Sequence, residues 1–456
     1  MFGINDQLKK LEKRKARIRV AEVGAGAAGL PFVDQVEMSP GMQMDIVVDL
    51  NLSKAKDALL KAGVAEKDIV ECSSCRAAEK AINNNKRVIA ADHEIAWNND
   101  VIDVVCEGTG SPRIYAEVVF NSIQHNKHIV TMNAEGDNFV GSILNRLAKN
   151  AGVVYTGIYG DEPGIIKALY DEVTALGFKV LAAGRSGYAG DSLKWNKNTI
   201  KDFRKEMGMG EVQYNMAMLA SFCDGTKTAE ELCQLSNSIG LPPDVRGMHG
   251  PDIPLDELTF KLPQVLDLKE KGGILNRTGV VERVLHTEQG DDNTVICFVI
   301  VKGKNKWHDV FMSRYGLTKE QVQAKGDNTN IIFYLPYHYV TAQAPISVAY
   351  AAIHNQATIA PLNDVRTSDV ITLAKKDLTP GEEIDEIGGV CTAGRIEKAV
   401  IVKEENLLPF ALAQGAILKK EVSKGTYLTF DDVELKKEDN LLFTLRQLQD
   451  KMFSVK

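Results

Sequence analysis

Residues 17–49, RIRVAEVGAGAAGLPFVDQVEMSPGMQMDIVVD, decide the fold. The run from Ile18 to Val23 is short, apolar and β-branched, which suits a buried parallel strand. It ends in Gly24-x-Gly26-x-x-Gly29, with Ala27 and Ala28 in the gap, and an apolar helix follows. In such a turn Gly24 permits the tight bend and Gly26 lets a pyrophosphate approach the backbone. Gly29 lets the helix pack closely on the strand. The helix N-terminus offers unpaired N–H groups and a partial positive charge to phosphates. A second strand, Met44 to Val48, ends in Asp49 about 20 residues on, where a carboxylate holds a ribose hydroxyl. A glycine-rich turn without a ligand explains the glycines, but not the strand, helix, strand and acid that accompany them. A nicotinamide dinucleotide is the expected ligand.

At 456 residues the chain exceeds one core, so two or three domains are expected. Its 44% hydrophobic and 25% charged composition is that of a soluble globular protein. A net charge of −7 argues against a nucleic-acid partner, since binding phosphate backbones needs a basic face. A local basic pocket for a small phosphorylated substrate stays open. The basic start, MFGINDQLKKLEKRKARIRV, lacks an apolar core of signal-peptide length and reads as a solvated helix leading into the first strand. No run approaches bilayer length, so no membrane partner is expected. Seven scattered cysteines fit a reducing cytosol and a cytoplasmic location. Cys72 and Cys75 form a lone CxxC, which without a second pair at zinc-ligand spacing does not read as a metal site.

Downstream, Ser53 is expected to cap a helix that stops near Gly63, and a helix near Ala77 to Ile82 leads to a strand at Arg87 to Ala90. The strand from Val101 to Glu107 runs into Gly108-Thr109-Gly110 and would lie beside the first strand at the dinucleotide crevice. A helix from Pro112 to Gln124 precedes a strand from His128 to Met132, which leads to Asn133 and Glu135. A helix near Val140 to Ala151 and a strand at Val153 to Thr156 complete the alternation of a doubly wound parallel sheet. Later, residues 198–247 read as helical, with Thr226 or Thr228 as a cap, and Leu241 to Pro254 as an irregular loop. Strands follow at Gly279 to Leu285, Thr294 to Lys302 and Asn330 to Leu335. Ile346 to His354 reads as a helix returning to the first domain. Leu441 to Met452 reads as an amphipathic helix able to cover an exposed edge.

The stretches DVVCEGTG and HIVTMNAE are similar to the nucleotide-binding half of the homoserine dehydrogenase family. The segment GDEPG from Gly160, the strand Phe178 to Arg185, SFCDGTK from Ser221 and Pro336-Tyr337-His338 add to that likeness. Together they resemble the homoserine-dehydrogenase-like proteins with a C-terminal SAF domain, a group that includes the 1-deoxyxylulose-5-phosphate reductoisomerase-like enzymes of isoprenoid synthesis. Near the C-terminus, LAKKDLTPGEEI and LKKEVSKGTYLTFDDV echo one another and resemble the SAF module, a small β-clip fold. A structural role is preferred for that module, since fold alone assigns no function. The resemblance implies an NADPH-dependent enzyme, whereas Asp49 would repel a 2′-phosphate and favours NADH. Lys54 or Lys56 are the cations placed to reach such a phosphate.

Hydride transfer to a carbonyl leaves negative charge on oxygen, so a cation or proton donor is needed beside it. Lys227, at a helix entry in Asp224-Gly225-Thr226-Lys227, is the first candidate, with Asp224 expected to hold its ammonium group. A capped helix with a solvated lysine is the bland alternative. Arg185 ends a strand where a sheet opens to its ligands; the resemblance implies a lysine there, and arginine keeps an anion contact but is no general acid. Lys194 is a candidate second cation for phosphate, and Tyr337 and His338 are candidates to orient a hydroxyl. Asp161 and Glu162 could ligate Mg²⁺ or Mn²⁺, though capping the helix after them is preferred.

The expected architecture is α/β: a Rossmann-type domain over 1–160, an α+β catalytic domain over 161–345, a return helix and linker at 346–366, and a SAF-like domain over 367–456. The expected activity is NAD(P)H-dependent reduction of a carbonyl on a small, phosphorylated substrate, in its most specific form 1-deoxyxylulose 5-phosphate. Two rivals remain: a dehydrogenase of another hydroxy or semialdehyde substrate, and a non-catalytic dinucleotide-sensing SAF protein. A homodimer is the default oligomer.

Overall fold

The computed structural model describes residues 3–188, 193–201, 215–286, 295–305, 321, 323, 328–435 and 441–455. The chain forms two compact units. One comprises Met1–Gly164, Tyr339–Asp364 and Asp439–Phe453; the other comprises Ile165–His338, Val365–Glu438 and Ser454–Lys456.

The first unit is built on seven strands: β1 (Ile18–Val23), β2 (Met42–Val48), β3 (Ile69–Glu71), β4 (Arg87–Ala90), β5 (Val104–Glu107), β6 (His128–Thr131) and β7 (Tyr155–Gly157). They lie in the order β3-β4-β2-β1-β5-β6-β7, and every neighbouring pair is parallel. Because side chains alternate along a strand, successive residues feed two cores. Val20, Met44, Val104 and Val130 join Phe32 and Leu59 on one face. Ala21, Val23, Ile46 and Val105 join Ile82, Ile95 and Val118 on the other. The chain order reverses between β2, β1 and β5, which places the crevice of a doubly wound sheet at the carboxyl end of β1. The predicted cap Ser53 is one residue of a helix, Leu52–Lys61, whose cap is Asn51: its side chain accepts from the Ser53 N–H.

Two later segments finish this unit. Gly157 N–H donates to Ile359 O at 2.8 Å, and Thr156 Oγ1 accepts from the N–H groups of Thr358 and Ile359 at 3.0 and 3.1 Å, so the outer edge of β7 is covered. The helix Leu441–Met452 packs on Ala134–Ala151. Its Gln449 carboxamide donates to Phe139 O at 2.9 Å and accepts from Ile143 N–H at 3.0 Å, two groups that are ordinarily partners along one helix.

In the second unit β8 (Lys179–Tyr188), β9 (Val280–His286), β10 (Cys297–Lys302) and β11 (Asn330–Leu335) form a sheet in the order β11-β10-β8-β9. Only β8 and β9 are parallel. The stretch read as helical is two helices, Met216–Cys223 and Thr226–Ile239, with residues 202–214 outside the described residues. Neither Thr226 nor Thr228 caps the second helix: Gly225 stands at the cap, and Asp224 Oδ1 accepts from Thr226 N–H at 3.0 Å. A separate sheet region follows, in which Ser368–Ala374 pairs antiparallel with Thr392–Lys398. The two echoing segments there lie antiparallel to each other, bridged at Leu373–Tyr427, Leu378–Val422 and Glu383–Ile417. Gly381 and Gly425 hold matching places in the echo, each at φ +83°, where a side chain would strain the turn. Among the described residues, no helix is long and apolar enough to cross a membrane.

Replacing Gln449 by Leu leaves Ile143 N–H without its side-chain partner in a buried seam, and leaves Phe139 O with only the longer contact from Arg446 Nη1 at 3.5 Å. The expected loss is about 1–3 kcal/mol in urea unfolding; an unchanged midpoint would mean that the two groups satisfy each other at no cost.

Candidate coenzyme loop and reaction site

In the first unit the sequence-predicted coenzyme residues gather at the carboxyl ends of β1, β2, β5 and β6. Gly24 bends at φ +109°, and its N–H donates to Val48 O at 2.8 Å. A Cβ on Gly24 would stand 2.9 Å from the Gly108 backbone, and a Cβ on Gly29 only 1.7 Å from Gly24 O. Neither position therefore admits a side chain. Gly26 has nothing within 4 Å of its would-be Cβ, so its backbone stays open to a ligand. Ala27 is exposed and Ala28 half-buried. The residues present fit a dinucleotide pyrophosphate at this loop.

Asp49 braces the loop: Oδ2 accepts from Ala25 N–H at 2.9 Å, and Oδ1 from Asn51 N–H at 2.8 Å. A carboxylate has about four acceptor positions, so a ribose hydroxyl can still be met. After β5, Thr109 donates to Glu107 through its N–H at 2.9 Å and through its hydroxyl, and Gly110 turns at φ +69°. Asn133 accepts from Gly136 N–H at 2.9 Å and caps Ala134–Ala151, in whose first turn Glu135 lies half-buried.

Two buried carboxyls here escaped the sequence reading. Glu22 on β1 and Glu107 on β5 are fully buried, and neither Glu22 oxygen has a hydrogen-bond partner among the described residues. Burial, and next the charge of Glu107, push the Glu22 carboxyl well above the usual range. Burial lifts Glu107 to about 7, against the hydrogen bonds it accepts from Thr109 and Thr131. The available signal was a glutamate two residues before Gly24, inside a run that otherwise reads as apolar.

The second unit holds the candidate reaction residues. Arg185 on β8 is buried; its guanidinium pairs with Glu231, and its Nε donates to Ser186 O at 3.2 Å. Glu231 belongs to Thr226–Ile239, a helix buried along its length except at half-exposed Lys227. The expectation that Asp224 holds Lys227 needs correction: the ammonium the structure gives it is that of Lys375, at 2.7 Å in the buried interior. Lys375 also donates to Gly389 O at 2.9 Å. Burial raises the Asp224 carboxyl, and the Lys375 charge opposes the rise. The same turn receives Gly394 N–H on Thr226 Oγ1 at 2.9 Å and the Arg395 guanidinium on Asp224 O at 3.0 Å. Three contacts from the C-terminal segment thus fix the start of the Lys227 helix, and no local motif announced them. Lys194 is exposed, with its ammonium 4.5 Å from the centre of the Trp195 ring. Tyr337 is exposed and His338 half-buried, both just after β11. Glu162, which belongs to the first unit, is buried at the start of the helix Glu162–Ala175.

Removing Lys375 as Lys375→Met strands the buried Asp224 carboxylate and is expected to cost about 3–5 kcal/mol in denaturant unfolding, with part returned in the double variant carrying Asp224→Asn. Additive losses would mean that the pair is not coupled. For Glu107 the folded value lies above the unfolded one, so the folded state holds the extra proton. Stability is therefore fully present below pH 4.5 and drains as pH rises to about 7. In Glu107→Gln this slope should flatten in thermal melts taken from pH 4 to 8.

Residues 160–343 match the family model described as oxidoreductase DRL, catalytic domain. No curated protein matches the sequence. Among solved structures, a probable dehydrogenase from Thermotoga maritima is 11% identical, covering 73% of this chain and 85% of its own at a TM-score of 0.37. GenD2 from gentamicin A biosynthesis, in complex with NAD, is 11% identical, covering 75% and 88% at 0.36. KijD10, a 3-ketoreductase from Actinomadura kijaniata in complex with TDP-benzene and NADP, is in its open conformation 11% identical, covering 75% and 91% at 0.36. With a Rossmann-type sheet in front of a segment that matches an oxidoreductase catalytic domain, the chain is by class an NAD(P)-dependent oxidoreductase.

Proposed function

We propose that the chain reduces the carbonyl of a small phosphorylated substrate, with NADH preferred over NADPH. The observation that carries the coenzyme half is the loop from Gly24 to Gly29, closed to side chains at both ends and open at Gly26. When bound, the coenzyme supplies the hydride. Gly24, Gly26 and Gly29 would seat its pyrophosphate, and Asp49 would take a ribose hydroxyl. A 2′-phosphate would meet the Asp49 charge, and Lys56, one of the cations near, already pairs with Glu66 at 2.6 Å.

Lys227 would donate a proton to the carbonyl oxygen as negative charge develops there. Its place as the half-exposed residue of a buried helix supports this, because such a helix holds the ammonium in one position. Arg185 shares its charge with Glu231, so it would orient a substrate oxygen more than anchor a dianion. Lys194 would meet the phosphate, and Tyr337 or His338 a hydroxyl. The most specific version is rearrangement of 1-deoxyxylulose 5-phosphate and reduction of the resulting aldehyde to 2-C-methylerythritol 4-phosphate.

The test follows NADH and NADPH fluorescence on titration with protein, then coenzyme oxidation with that sugar phosphate and a panel of small aldehydes and ketones. Lys227→Met should lower kcat by about 100-fold or more while leaving the NADH Kd unchanged. Turnover of an unphosphorylated ketone alone would remove the substrate, and absence of coenzyme binding would remove the function.

A further inference from the structure

Glu22 lies where β1 meets the coenzyme loop, and the proposed reaction does not use it. Its carboxyl is fully buried, with both oxygens unpartnered among the described residues. The backbone around it leaves room for it. A Cβ on Gly29 would stand 2.9 Å from Glu22 Oε1, and a Cβ on Gly108 2.7 Å. Glycine in the first turn of the helix and glycine after β5 together open the space that the carboxyl fills.

The titratable groups packed about it are acidic. From β5 come Glu107, whose charge acts on Glu22, and the Cys106 thiol, which is pushed up by burial and then by Glu22. Asp49 braces the loop through Ala25. On the other side β2 presents Val47 opposite Glu22. Among the described residues Glu22 has no ion-pair partner. A charge here would sit unsolvated beneath the N–H groups that are to receive a pyrophosphate, and a buried charge without a partner reverts to its neutral form.

We propose that the loop binds a dinucleotide only while Glu22 is protonated, so that coenzyme affinity is coupled to one proton held beneath the glycine turn. This rests on the coenzyme reading above. A neutral carboxyl sets no charge against the phosphates. An ionised one must take a proton from solvent before the coenzyme can seat. Affinity therefore falls about tenfold per pH unit above the point at which Glu22 ionises.

The experiment measures the NADH Kd of the full-length protein by nicotinamide fluorescence from pH 6 to 9.5, in wild type and in Glu22→Gln. NADH is the probe because both phosphates of its pyrophosphate stay singly ionised across that range, so its charge does not change. The wild type should hold its affinity and then lose it at about tenfold per unit, while Glu22→Gln stays level. Calorimetry of NADH binding to wild type, in two buffers of different ionisation heat, counts the proton without any variant. It should show uptake rising towards one where affinity falls. A level wild-type profile, parallel profiles in the two proteins, or falling affinity without proton uptake would overturn the proposal and leave the coenzyme reading standing. Absence of NADH binding at every pH would remove the coenzyme reading first, and this proposal with it.

Discussion

The first unit depends on one close approach. The backbone of Gly29 packs so tightly on Gly24 O that even a methyl group would overlap it, at 1.7 Å. That approach lets the helix Gly29–Met38 start directly above the end of β1, and it fixes where β2 must deliver Asp49. Asp49 then ties the loop down through Ala25 and also opens the next helix through Asn51. Crevice, loop and brace are one construction, and the parallel pairing of β1 with β2 uses the crossover helix Gly29–Met38 that the loop starts.

The second constraint is what becomes of charge in the interior. Arg185 meets Glu231, and Asp224 meets Lys375, all four within the buried part of the second unit. Such pairs add little net stability over apolar residues of the same shape, but they penalise every arrangement that separates the partners. They fix the position of the Lys227 helix more than they strengthen the fold. Glu22 is the opposite case, a buried acid given space and no partner among the described residues.

These differences mark what could be read from sequence. The parallel sheet, the glycine loop and Asp49 were legible because each has a local cause: strand periodicity, a turn only glycine can make, an acid at a set interval. Helix caps were less so. The sequence points to Ser53 where Asn51 is the cap, and to Thr226 or Thr228 where Gly225 stands at the cap, because neighbouring residues compete for the position and only the backbone decides among them. The partner of Asp224 was out of reach, since Lys375 lies 151 residues away and belongs to no motif. Glu22 was hidden by averaging: one acid in the six-residue strand IRVAEV does not change how its buried face reads, although it changes its chemistry.

The helix Thr226–Ile239 shows why the C-terminal segment belongs to the folding of the second unit. It buries Ser236 and Asn237, polar side chains that a helix packed on apolar surface would leave short of partners, whereas the buried Ser238 hydroxyl donates to Leu235 O within the same helix at 2.8 Å. Asn237 Oδ1 accepts from the N–H groups of Thr367 and Ser368 at 2.9 and 3.0 Å, and its Nδ2 donates to Ser368 O at 3.2 Å. Ser236 shares its hydroxyl with that of Ser368 at 2.6 Å. One asparagine thus serves the strand as a neighbouring backbone would, and the strand in turn completes the asparagine. Without residues 367–368 the Ser236 hydroxyl and the Asn237 carboxamide would lose their partners, each at about 1–3 kcal/mol, a sizeable share of the stability of a domain. The segment that carries Lys227 can therefore hold its shape only with the C-terminal strands in place.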